Sequence, residues 1–499
     1  MKVAFHTLGC KVNQYETEAM KEAFTARGAL IVPEDESADI YIVNTCTVTN
    51  IADRKSRQYI RRMKALNPSA IVLVTGCYAQ TSPEEVAEMP EVDAVIGNSL
   101  KSEICEKALA IYNVRHEADT EQAADETALE TAVEVTDETA LETAVEPTDE
   151  AGTSYIHVLE RDKMNFYEDM GLVVSNESGL TRAYIKIQEG CDRFCSYCEI
   201  PFARGPVRSR PIDEIIDEAK LLIGQGYKEL VLTGINTALY GTEQGSDTSL
   251  EAVLERLDAL DGDFRVRLSS LEPTVVDKEH VERIIRFRRL CHHLHLSVQS
   301  GSTKILKRMN RHYTQDEYLD IVKAIREYDP FYGITTDIIV GFSGEDEEDF
   351  QESLHVVKEA EFGRVHAFRY SPRKGTVGAK LDGAVSGRVK AERIDRLIAK
   401  ADDTAEAFIK KCSVRTHKVL TEERVTERQV TDGRVTEEHT TEFVTGYTDN
   451  YIKVYIEDAD GRIPCGEFCE VRLGEIFKDG CLASIVDASS SAEKGVKNE

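Results

Sequence analysis

The stretch AYIKIQEGCDRFCSYC, residues 183–198, joins an alternating apolar segment to a short loop that carries Cys191, Cys195 and Cys198. The apolar segment predicts a β-strand, and the cysteines follow it directly. Three thiolates on one tight loop can bind three corners of a cubic 4Fe–4S cluster and leave the fourth iron open to another ligand. Structural zinc is the alternative, but it requires four ligands, and no partner pair of cysteine or histidine lies nearby. The stretch therefore predicts an iron–sulfur centre at the end of a strand.

This strand opens a series of alternating strands and amphipathic helices. The predicted strands are residues 183–188, 229–233, 265–270, 293–298, 334–340 and 365–370. Helical stretches at 212–223 and 346–360 are examples of the segments between them. Six β/α units predict an α/β fold in the form of an open (β/α)6 barrel, with reactive groups on loops at the carboxyl ends of the strands.

Residues 1–112 show the same alternation in a separate region. Apolar runs at 3–8, 40–43 and 71–75 each end in a polar loop, and helical stretches such as 16–27 and 53–66 follow. Strands and helices at this spacing predict an N-terminal parallel α/β domain with right-handed crossovers.

Three cysteines of this region, Cys10, Cys46 and Cys77, each lie just beyond a predicted strand. The carboxyl ends of parallel strands meet at one edge of a sheet, where ligands usually bind. Three cysteines buried as small hydrophobic residues are the alternative. Because all three occupy the same topological position, the pattern favours a shared metal site.

The remaining segments complete the predicted domain organisation. Residues 113–175 form an acidic insert or linker, in which DETALETAVEVT at 125–136 is followed by DETALETAVEPT at 137–148. A long helical stretch at 388–411 ends the barrel domain, 176–411. Residues 412–487 are rich in Val, Thr and charge and predict a small C-terminal all-β barrel, followed by a tail at 488–499.

Composition narrows the class of protein. The chain has 499 residues, of which 41% are hydrophobic and 30% charged, and no apolar run approaches the roughly 20 residues of a membrane span. The N-terminus, MKVAFHTLGCKVNQ, predicts a first strand instead of a signal peptide, so we expect a cytoplasmic protein without a membrane partner. In a reducing cytosol, clustered cysteines among the 12 favour metal binding over disulfides.

The formal net charge is −29, and 13 of the acidic residues lie within 117–150. The rest of the chain is also acidic, so contact with a nucleic acid would need local basic patches. We expect no DNA partner.

The motif C-x-x-x-C-x-x-C, with Tyr197 before its last cysteine, resembles the signature of radical S-adenosylmethionine (SAM) enzymes. The resemblance implies that SAM binds the open iron and is cleaved to a 5′-deoxyadenosyl radical. It also implies that residues at the strand ends contact SAM. The candidates for cofactor contact are Tyr197, Thr233, Gly234, Ser270, Glu272 and Gln299.

The segments TLGCKVN at 7–13, NTCTVT at 44–49 and GCYAQ at 76–80 resemble the N-terminal domain of methylthiotransferases, and the C-terminal region is similar to TRAM. The resemblance implies that Cys10, Cys46 and Cys77 hold a second 4Fe–4S cluster, which carries the transferable sulfur. It implies a transferase that adds a methylthio group to carbon 2 of N6-threonylcarbamoyladenosine next to the anticodon of tRNA. The alternatives are isopentenyladenosine in tRNA, an aspartate of a ribosomal protein, or a non-catalytic iron–sulfur RNA-binding protein.

Partners follow from the same interpretation. We expect the anticodon stem-loop of tRNA, an external electron donor and an external sulfur source. Arg204, Arg208 and Arg210 follow the cysteine loop and are candidates for phosphate contact. A basic helix at 54–64 is a second candidate, and a solvated helical face is an equally good interpretation of it. In the C-terminal domain the candidate RNA-contacting positions are Tyr447, Tyr451, Lys453 and Tyr455.

Overall fold

The architecture is taken from a computed structural model of the chain. It describes residues 1–124, 154–171, 181–243, 246, 248–273, 277–431 and 434–486. The acidic repeats at 125–148 and the tail at 488–499 lie outside the described residues. The chain packs as two compact units. Unit 1 contains Met1–Ser175, Gly190–Arg193 and Cys198–Pro206, and unit 2 contains Asn176–Glu189, Phe194–Tyr197 and Val207–Glu499.

In the described part of unit 1, six strands form a parallel sheet in the order β2-β1-β3-β4-β5-β6. The strands are β1 (Lys2–Thr7), β2 (Leu30–Val32), β3 (Ile40–Thr45), β4 (Ile71–Gly76), β5 (Ala94–Ile96) and β6 (Tyr155–His157). The helices are α1 (Lys11–Thr25), α2 (Asn50–Leu66), α3 (Cys77–Thr81), α4 (Pro83–Ala87), α5 (Ile104–Ala124) and α6 (Ile200–Arg204). β3 and β4 are buried along their whole length, as expected of apolar strands covered on both faces. The predicted parallel α/β fold of this region is confirmed.

The sheet extends further along the chain than residue 112. α5 continues to Ala124, and β6 lies in the segment interpreted as an insert. β6 pairs in parallel with β5, where Ala94 is aligned with Tyr155. Strands of three residues are too short for an alternating pattern to reveal, so only their pairing identifies β2, β5 and β6.

Unit 2 begins with the six predicted barrel strands and one short additional strand, β8. The strands are β7 (Arg182–Glu189), β8 (Arg208–Ser209), β9 (Glu229–Gly234), β10 (Arg265–Leu268), β11 (His293–His295), β12 (Gly333–Val340) and β13 (Arg364–Arg369). The helices are α7 (Ile212–Gly224), α8 (Leu250–Asp258), α9 (Lys278–Ile284), α10 (Thr303–Arg308), α11 (Gln315–Tyr328), α12 (Glu347–Ala360) and α13 (Gly387–Cys412). β7, β9 and β10 pair in parallel, as do β11, β12 and β13. Isolated parallel bridges, including Leu271 with Leu296, connect the two groups, which confirms the predicted open barrel.

The C-terminal part of unit 2 is a closed barrel in the order β14-β15-β16-β18-β17. Its strands are β14 (Thr416–Thr431), β15 (Arg434–Thr448), β16 (Lys453–Glu457), β17 (Phe468–Phe477) and β18 (Gly480–Ile485). β16 and β18 pair in parallel, and the other pairs are antiparallel. The predicted small all-β barrel is confirmed.

A buried carboxylate, Glu229, organises the contact between the two barrels of unit 2. Its side chain is fully buried and forms ion pairs with Arg265 at 2.6 Å and Arg267 at 2.8 Å. The same two arginines donate hydrogen bonds to backbone carbonyls of β15, Tyr447 O at 2.9 Å and Thr448 O at 3.2 Å. Burial opposes ionisation, but Arg267, Arg265 and Arg182 together hold the pKa of Glu229 well below its ordinary value. The closed barrel is therefore attached through a compensated internal charge.

The aromatic residues at this contact pack within unit 2. The rings of Tyr447 and Tyr451 stack at 4.8 Å. The guanidinium of Arg182 lies 4.7 Å from the Tyr447 ring, and that of Arg267 lies 4.8 Å from the Tyr451 ring. Tyr455 is only 4% exposed. The rings of Tyr447 and Tyr451 therefore stack on groups inside the protein. Lys453 is partly buried and forms an ion pair with Asp479 at 3.2 Å.

In the described residues, no helix combines the length and the apolar character that crossing a membrane requires.

Glu229→Gln should reduce the free energy of unfolding by about 3–5 kcal/mol, because it leaves buried arginines without their main counter-charge. Urea unfolding followed by far-UV circular dichroism measures this. The contribution of Glu229 is full above its unfolded pKa of about 4.3 and is lost as the pH falls from there through the lower folded-state pKa.

Glu347→Gln is the matched control, because Glu347 is exposed and pairs with Arg396 at 2.7 Å. Its effect should stay below about 1 kcal/mol. Equal effects of the two substitutions would contradict the role assigned to Glu229.

Candidate functional site

Three thiols converge on one edge of the sheet in unit 1. Cys10 caps the N-terminus of α1 after β1, Cys46 directly follows β3, and Cys77 begins α3 after β4. β1, β3 and β4 are adjacent and parallel, and their register aligns Thr7 with Asn44 and Thr45 with Gly76. The predicted meeting of Cys10, Cys46 and Cys77 at the carboxyl ends of the strands is what this register produces.

Glycines bring these loops into contact. Gly9 has φ +107°, and a Cβ on it would lie 2.9 Å from Cys46 Cβ and 3.0 Å from Cys46 Sγ. Gly76 has φ +96°, and a Cβ there would lie 2.3 Å from the carbonyl oxygen of Thr45. Larger residues at positions 9 and 76 would push the cysteine loops apart. A glycine directly before Cys10 and another directly before Cys77 therefore allow these loops to approach closely.

The thiol trio fits a polynuclear group better than a single ion. Among the described residues, one group of His, Cys, Asp or Glu side chains has all its ligand atoms within 4.8 Å of one another, and it does not contain these cysteines. The sulfurs of Cys10, Cys46 and Cys77 are therefore spread more widely. A tetrahedral zinc ion with Zn–S bonds of about 2.3 Å needs sulfurs about 3.8 Å apart. Burial, with a contribution from nearby Cys77, raises the pKa of the Cys46 thiol to about 12. The Cys46 thiol therefore keeps its proton at neutral pH unless a metal ion replaces it.

Arg204 lies at this trio and is completely buried. Its Nε donates a hydrogen bond to Cys77 Sγ at 3.3 Å, and its Nη1 pairs with Glu16 Oε1 at 2.5 Å. Glu16 also pairs with buried Lys101, and Arg204 Nη2 donates to Asn13 Oδ1. Arg204 therefore directs an N–H group at one sulfur of the trio, and N–H groups in such a position are known to tune iron–sulfur clusters.

The loop with the second cysteine trio is divided between the units: Cys191 and Cys198 belong to unit 1 and Cys195 to unit 2. In unit 1, Gly190 has φ +74°, and a Cβ there would lie 1.7 Å from the Pro206 carbonyl oxygen, so only glycine fits. In unit 2, Ser196 N donates to Met309 O at 2.9 Å. Backbone contacts thus hold the loop at its start, beside Gly190, and near its middle, at Ser196.

Polar side chains gather at the carboxyl ends of the strands in unit 2. Asn236 Nδ2 donates to Glu272 Oε2 at 2.7 Å, and Asn236 N donates to Gln188 Oε1 at 2.9 Å. Arg311 pairs with Glu272. Burial raises the pKa of the Cys195 thiol, while the nearby Arg311 lowers it and Glu272 raises it, so all three groups share one environment.

This polar group of residues has capacity for a ligand. Asn236 Oδ1, Ser269 Oγ and Arg311 Nε are buried without a hydrogen-bond partner. Buried polar atoms of this kind are rare in folded proteins unless a ligand or water satisfies them. Donors and acceptors together fit an amino acid-like cofactor such as SAM, which carries both an ammonium and a carboxylate.

The sequence-predicted cofactor residues occupy this end of unit 2. Thr233 and Glu272 are buried, Gln299 has φ +65°, and Gly234 contacts Gln188. Ser270 is exposed, although its carbonyl accepts a hydrogen bond from Thr237 Oγ1 at 3.0 Å. Tyr197 packs edge-on against Phe342 at 6.5 Å.

Sequence reasoning missed Gln188, Asn236, Ser269 and Arg311. Asn236 lies two residues after the predicted Gly234, and Ser269 lies directly before the predicted Ser270, so their position at a strand end was a usable signal. Nothing in the sequence marks Arg311, which lies after α10 and reaches Glu272 only through the tertiary fold.

Arg208 and Arg210, predicted to contact RNA, are also buried. Arg208 lies in β8, which pairs with the end of β7. Arg210 forms ion pairs with Glu218 and, at 3.3 Å, with Glu214. Like Arg204, both arginines are buried within the protein. Their burial therefore gives no support to the predicted contact with phosphate.

Comparisons with known proteins extend these observations. Residues 2–97 match the family described as "Uncharacterized protein family UPF0004", and residues 185–357 match the "Radical SAM superfamily". Among solved structures, the radical SAM methyltransferase TsrM from Kitasatospora setae, with cobalamin and a [4Fe-4S] cluster bound, aligns with a TM-score of 0.54 at 16% identity. The alignment covers 76% of this chain and 77% of that chain, and the likeness is one of fold.

Several curated relatives are similar along nearly their whole length. Threonylcarbamoyladenosine tRNA methylthiotransferase MtaB of Bacillus subtilis is 38% identical and covers 97% of both chains. The protein of the same name from Thermotoga maritima is 36% identical and covers 98% of this chain and 99% of that one. The tRNA-2-methylthio-N(6)-dimethylallyladenosine synthase of Thermodesulfovibrio yellowstonii is 31% identical over 97% of this chain and 98% of its own length.

Arg204→Ala should weaken iron retention by Cys10, Cys46 and Cys77, because it removes the N–H donor to Cys77 Sγ. It also removes one of the two cations that pair with Glu16, the other being Lys101. The measurement uses protein with Cys191, Cys195 and Cys198 replaced by Ala, reconstituted anaerobically, and follows iron loss to a chelator. We expect iron to be lost at least about 10-fold faster than from the same protein with Arg204 intact.

Arg210→Ala is the matched control, since it also breaks a buried arginine–glutamate pair but lies in unit 2. If both variants lose iron equally fast, general destabilisation explains the effect and Arg204 has no specific role at Cys77.

Proposed function

Because the chain belongs to the family of radical SAM tRNA methylthiotransferases, we propose that it adds a methylthio group to carbon 2 of N6-threonylcarbamoyladenosine next to the tRNA anticodon. The protein is a transferase that uses SAM and iron–sulfur clusters. The observation that carries the substrate assignment is similarity of 36–38% over nearly full length to relatives named for threonylcarbamoyladenosine.

The dimethylallyladenosine branch is the second candidate. Relatives named for it are 31–34% identical, which places them close enough to keep this substrate as an explicit outcome of the experiment. The two substrates differ in the group on N6, which is charged in threonylcarbamoyladenosine and apolar in dimethylallyladenosine. A site selects between such groups mainly by its buried polar partners.

Each cysteine trio has its own role in this proposal. Cys191, Cys195 and Cys198 hold the cluster that binds SAM, and the polar residues around Glu272 bind the cofactor's charged groups. Cys10, Cys46 and Cys77 hold the cluster that carries sulfur. When bound, these cofactors supply radical and sulfur chemistry that no protein side chain offers. The cysteine thiolates of the chain bind the clusters, and the surrounding residues orient the cofactor and exclude water from both sites.

Contact with tRNA is supported best by the start of α2. Arg54 and Lys55 are exposed on this helix, which begins just after Cys46. Val48 and Ile51, beside them in the chain, are exposed at 59% and 56%. Cations for phosphates next to apolar groups for bases form a suitable surface for an anticodon stem-loop. We also propose that an external electron donor and an external sulfur source take part in the reaction, and that the enzyme works in the cytoplasm, where a tRNA substrate would be available.

Nucleoside analysis tests the proposed function. In cells lacking the gene, 2-methylthio-N6-threonylcarbamoyladenosine should be absent from tRNA and should return with the wild-type gene. Cys46→Ala and Cys195→Ala should both fail to restore it. In vitro, Cys46→Ala should still form 5′-deoxyadenosine from SAM under reducing conditions, whereas Cys195→Ala should not, because the two trios hold separate clusters.

Cys105→Ala is the control for loss of a buried thiol in unit 1, and it should restore the modified nucleoside. If 2-methylthio-dimethylallyladenosine (the methylthio form of isopentenyladenosine) is lost instead, the second candidate is the substrate. Unchanged tRNA in a strain without a redundant enzyme rejects both substrates.

Charge reversal at Arg54 and Lys55 together should weaken tRNA binding without altering 5′-deoxyadenosine formation. The slope of log affinity against log salt concentration should fall by about 1–2 units, because two phosphate contacts are lost. Filter binding or fluorescence anisotropy with unmodified tRNA measures it. Lys323→Glu on α11 reverses another exposed helical lysine and should leave the slope unchanged; an equal effect there would indicate only a change of net charge.

A further inference from the structure

Three side chains with metal-binding atoms, none of them assigned a role above, meet on the strands of the open barrel. His295 ends β11, Asp337 lies in β12 and His366 in β13. One nitrogen of each imidazole and one carboxylate oxygen all lie within 4.8 Å of one another. It is the one group of this kind among the described residues.

The register of the strands produces this meeting. β12 aligns Asp337 with His366, and β11 aligns His295 with Thr335, two residues before Asp337. Leu294, Leu296 and Ile338 point to the other face, where they join the apolar core shared with the helices. The three polar side chains therefore lie together on the face turned away from the helices.

Neighbouring hydroxyl groups hold the ligand atoms in orientation. His295 Nδ1 lies 2.9 Å from Thr335 Oγ1, which directs Nε2 towards Asp337 Oδ2 at 3.1 Å. Ser297 Oγ donates to the same carboxylate oxygen at 3.0 Å. Outer partners of this type fix the tautomer and the ring direction of metal-binding histidines.

We propose that His295, Asp337 and His366 bind a divalent transition-metal ion, with zinc as the best-fitting example. Two imidazole nitrogens and one carboxylate oxygen suit zinc and similar borderline ions, whereas magnesium and calcium select oxygen ligands. In a tetrahedral zinc site the ligand atoms lie about 3.4 Å apart, so small side-chain rotations within the observed 4.8 Å suffice.

The ion has a route from solvent and an open coordination position. His366 also lines a groove of about 650 Å³ between β13, α13 and the closed barrel. Arg364, Lys453 and Lys478 lie along the same groove. Three protein ligands leave one position for water or for an oxygen of a bound molecule. The site thus adds positive charge inside a chain whose formal net charge is −29.

A hydrogen-bonded His–Asp pair without an ion is the competing interpretation. His292 and Asp329 form such a pair, with Nδ1 and Oδ2 at 2.8 Å. No second imidazole or carboxylate completes that pair into a group among the described residues. It therefore serves as a matched control for a pair that should not bind an ion.

Metal binding to the holoenzyme tests the proposal. The clusters are first reconstituted anaerobically so that both cysteine trios are occupied, and zinc is then added in equilibrium dialysis. Elemental analysis should find about one zinc per chain with unchanged iron. Cobalt in place of zinc should give visible bands of nitrogen and oxygen coordination, without the charge-transfer bands that thiolates produce.

His366→Ala and Asp337→Asn should each abolish the additional zinc, whereas His292→Ala should retain it. Thr335→Val keeps all three ligands and should weaken zinc binding about 10–100-fold, because it removes the group that orients His295. Iron content and circular dichroism identify any variant that fails to fold, and Thr335→Val then remains as the test.

The proposal is overturned if the wild-type holoenzyme binds no additional zinc, if cobalt shows thiolate bands alone, or if the ligand variants bind as much zinc as His292→Ala. These results are independent of the tRNA substrate, because metal binding is measured without tRNA.

Discussion

Parallel strands all end at the same edge of a sheet, and the chemistry of this protein depends on that geometric constraint. In unit 1 it brings together Cys10, Cys46 and Cys77, which are separated by 36 and 31 residues in the chain. In unit 2 it gathers the residues that follow β9, β10 and β11, including Asn236, Glu272 and Gln299. No local loop could assemble either set, because the participating residues come from different β/α units.

A second requirement is that every buried charge has polar or oppositely charged partners. Removing an ion from water is costly, so such groups persist only where geometry supplies complete partners. Arg204 with Glu16 and Lys101 meets this requirement in unit 1, and Glu229 with three arginines meets it in unit 2. Arg204 lies on the segment that follows Cys198, and its side chain donates a hydrogen bond to Cys77 Sγ. The segment after one cysteine motif therefore contacts a cysteine of the other trio.

His295 ends β11, and Gln299 follows it four residues later, outside the strand and with φ +65°. The chain after β11 therefore leads from the His295, Asp337 and His366 group to a residue predicted to contact the cofactor. A cation at that group would oppose the negative charge of the chain near a surface groove. Substrates with phosphate or carboxylate groups benefit from such local compensation.

The sequence alone predicted the α/β fold of the first two regions, the β-barrel of the third and the position of each of the six cysteines just after a strand, because hydrophobic periodicity and strand-end position are local properties. It also indicated the family through motifs around Cys10, Cys46, Cys77 and Cys191. Its placing of residues 113–175 in an insert left out β6, since three residues carry no measurable period.

The environment of each charged side chain depends on the tertiary fold. Arg204, Arg208 and Arg210 look like a basic patch in the sequence, but folding buries all three. Arg204 lies against Glu16 and Cys77, and Arg210 lies against Glu218. Arg311 reaches Glu272, and His366 reaches Asp337, through strand and helix packing that no local pattern encodes. The physical reason is that burial and electrostatic partnership depend on contacts between residues far apart in the chain, whereas periodicity and motif spacing do not.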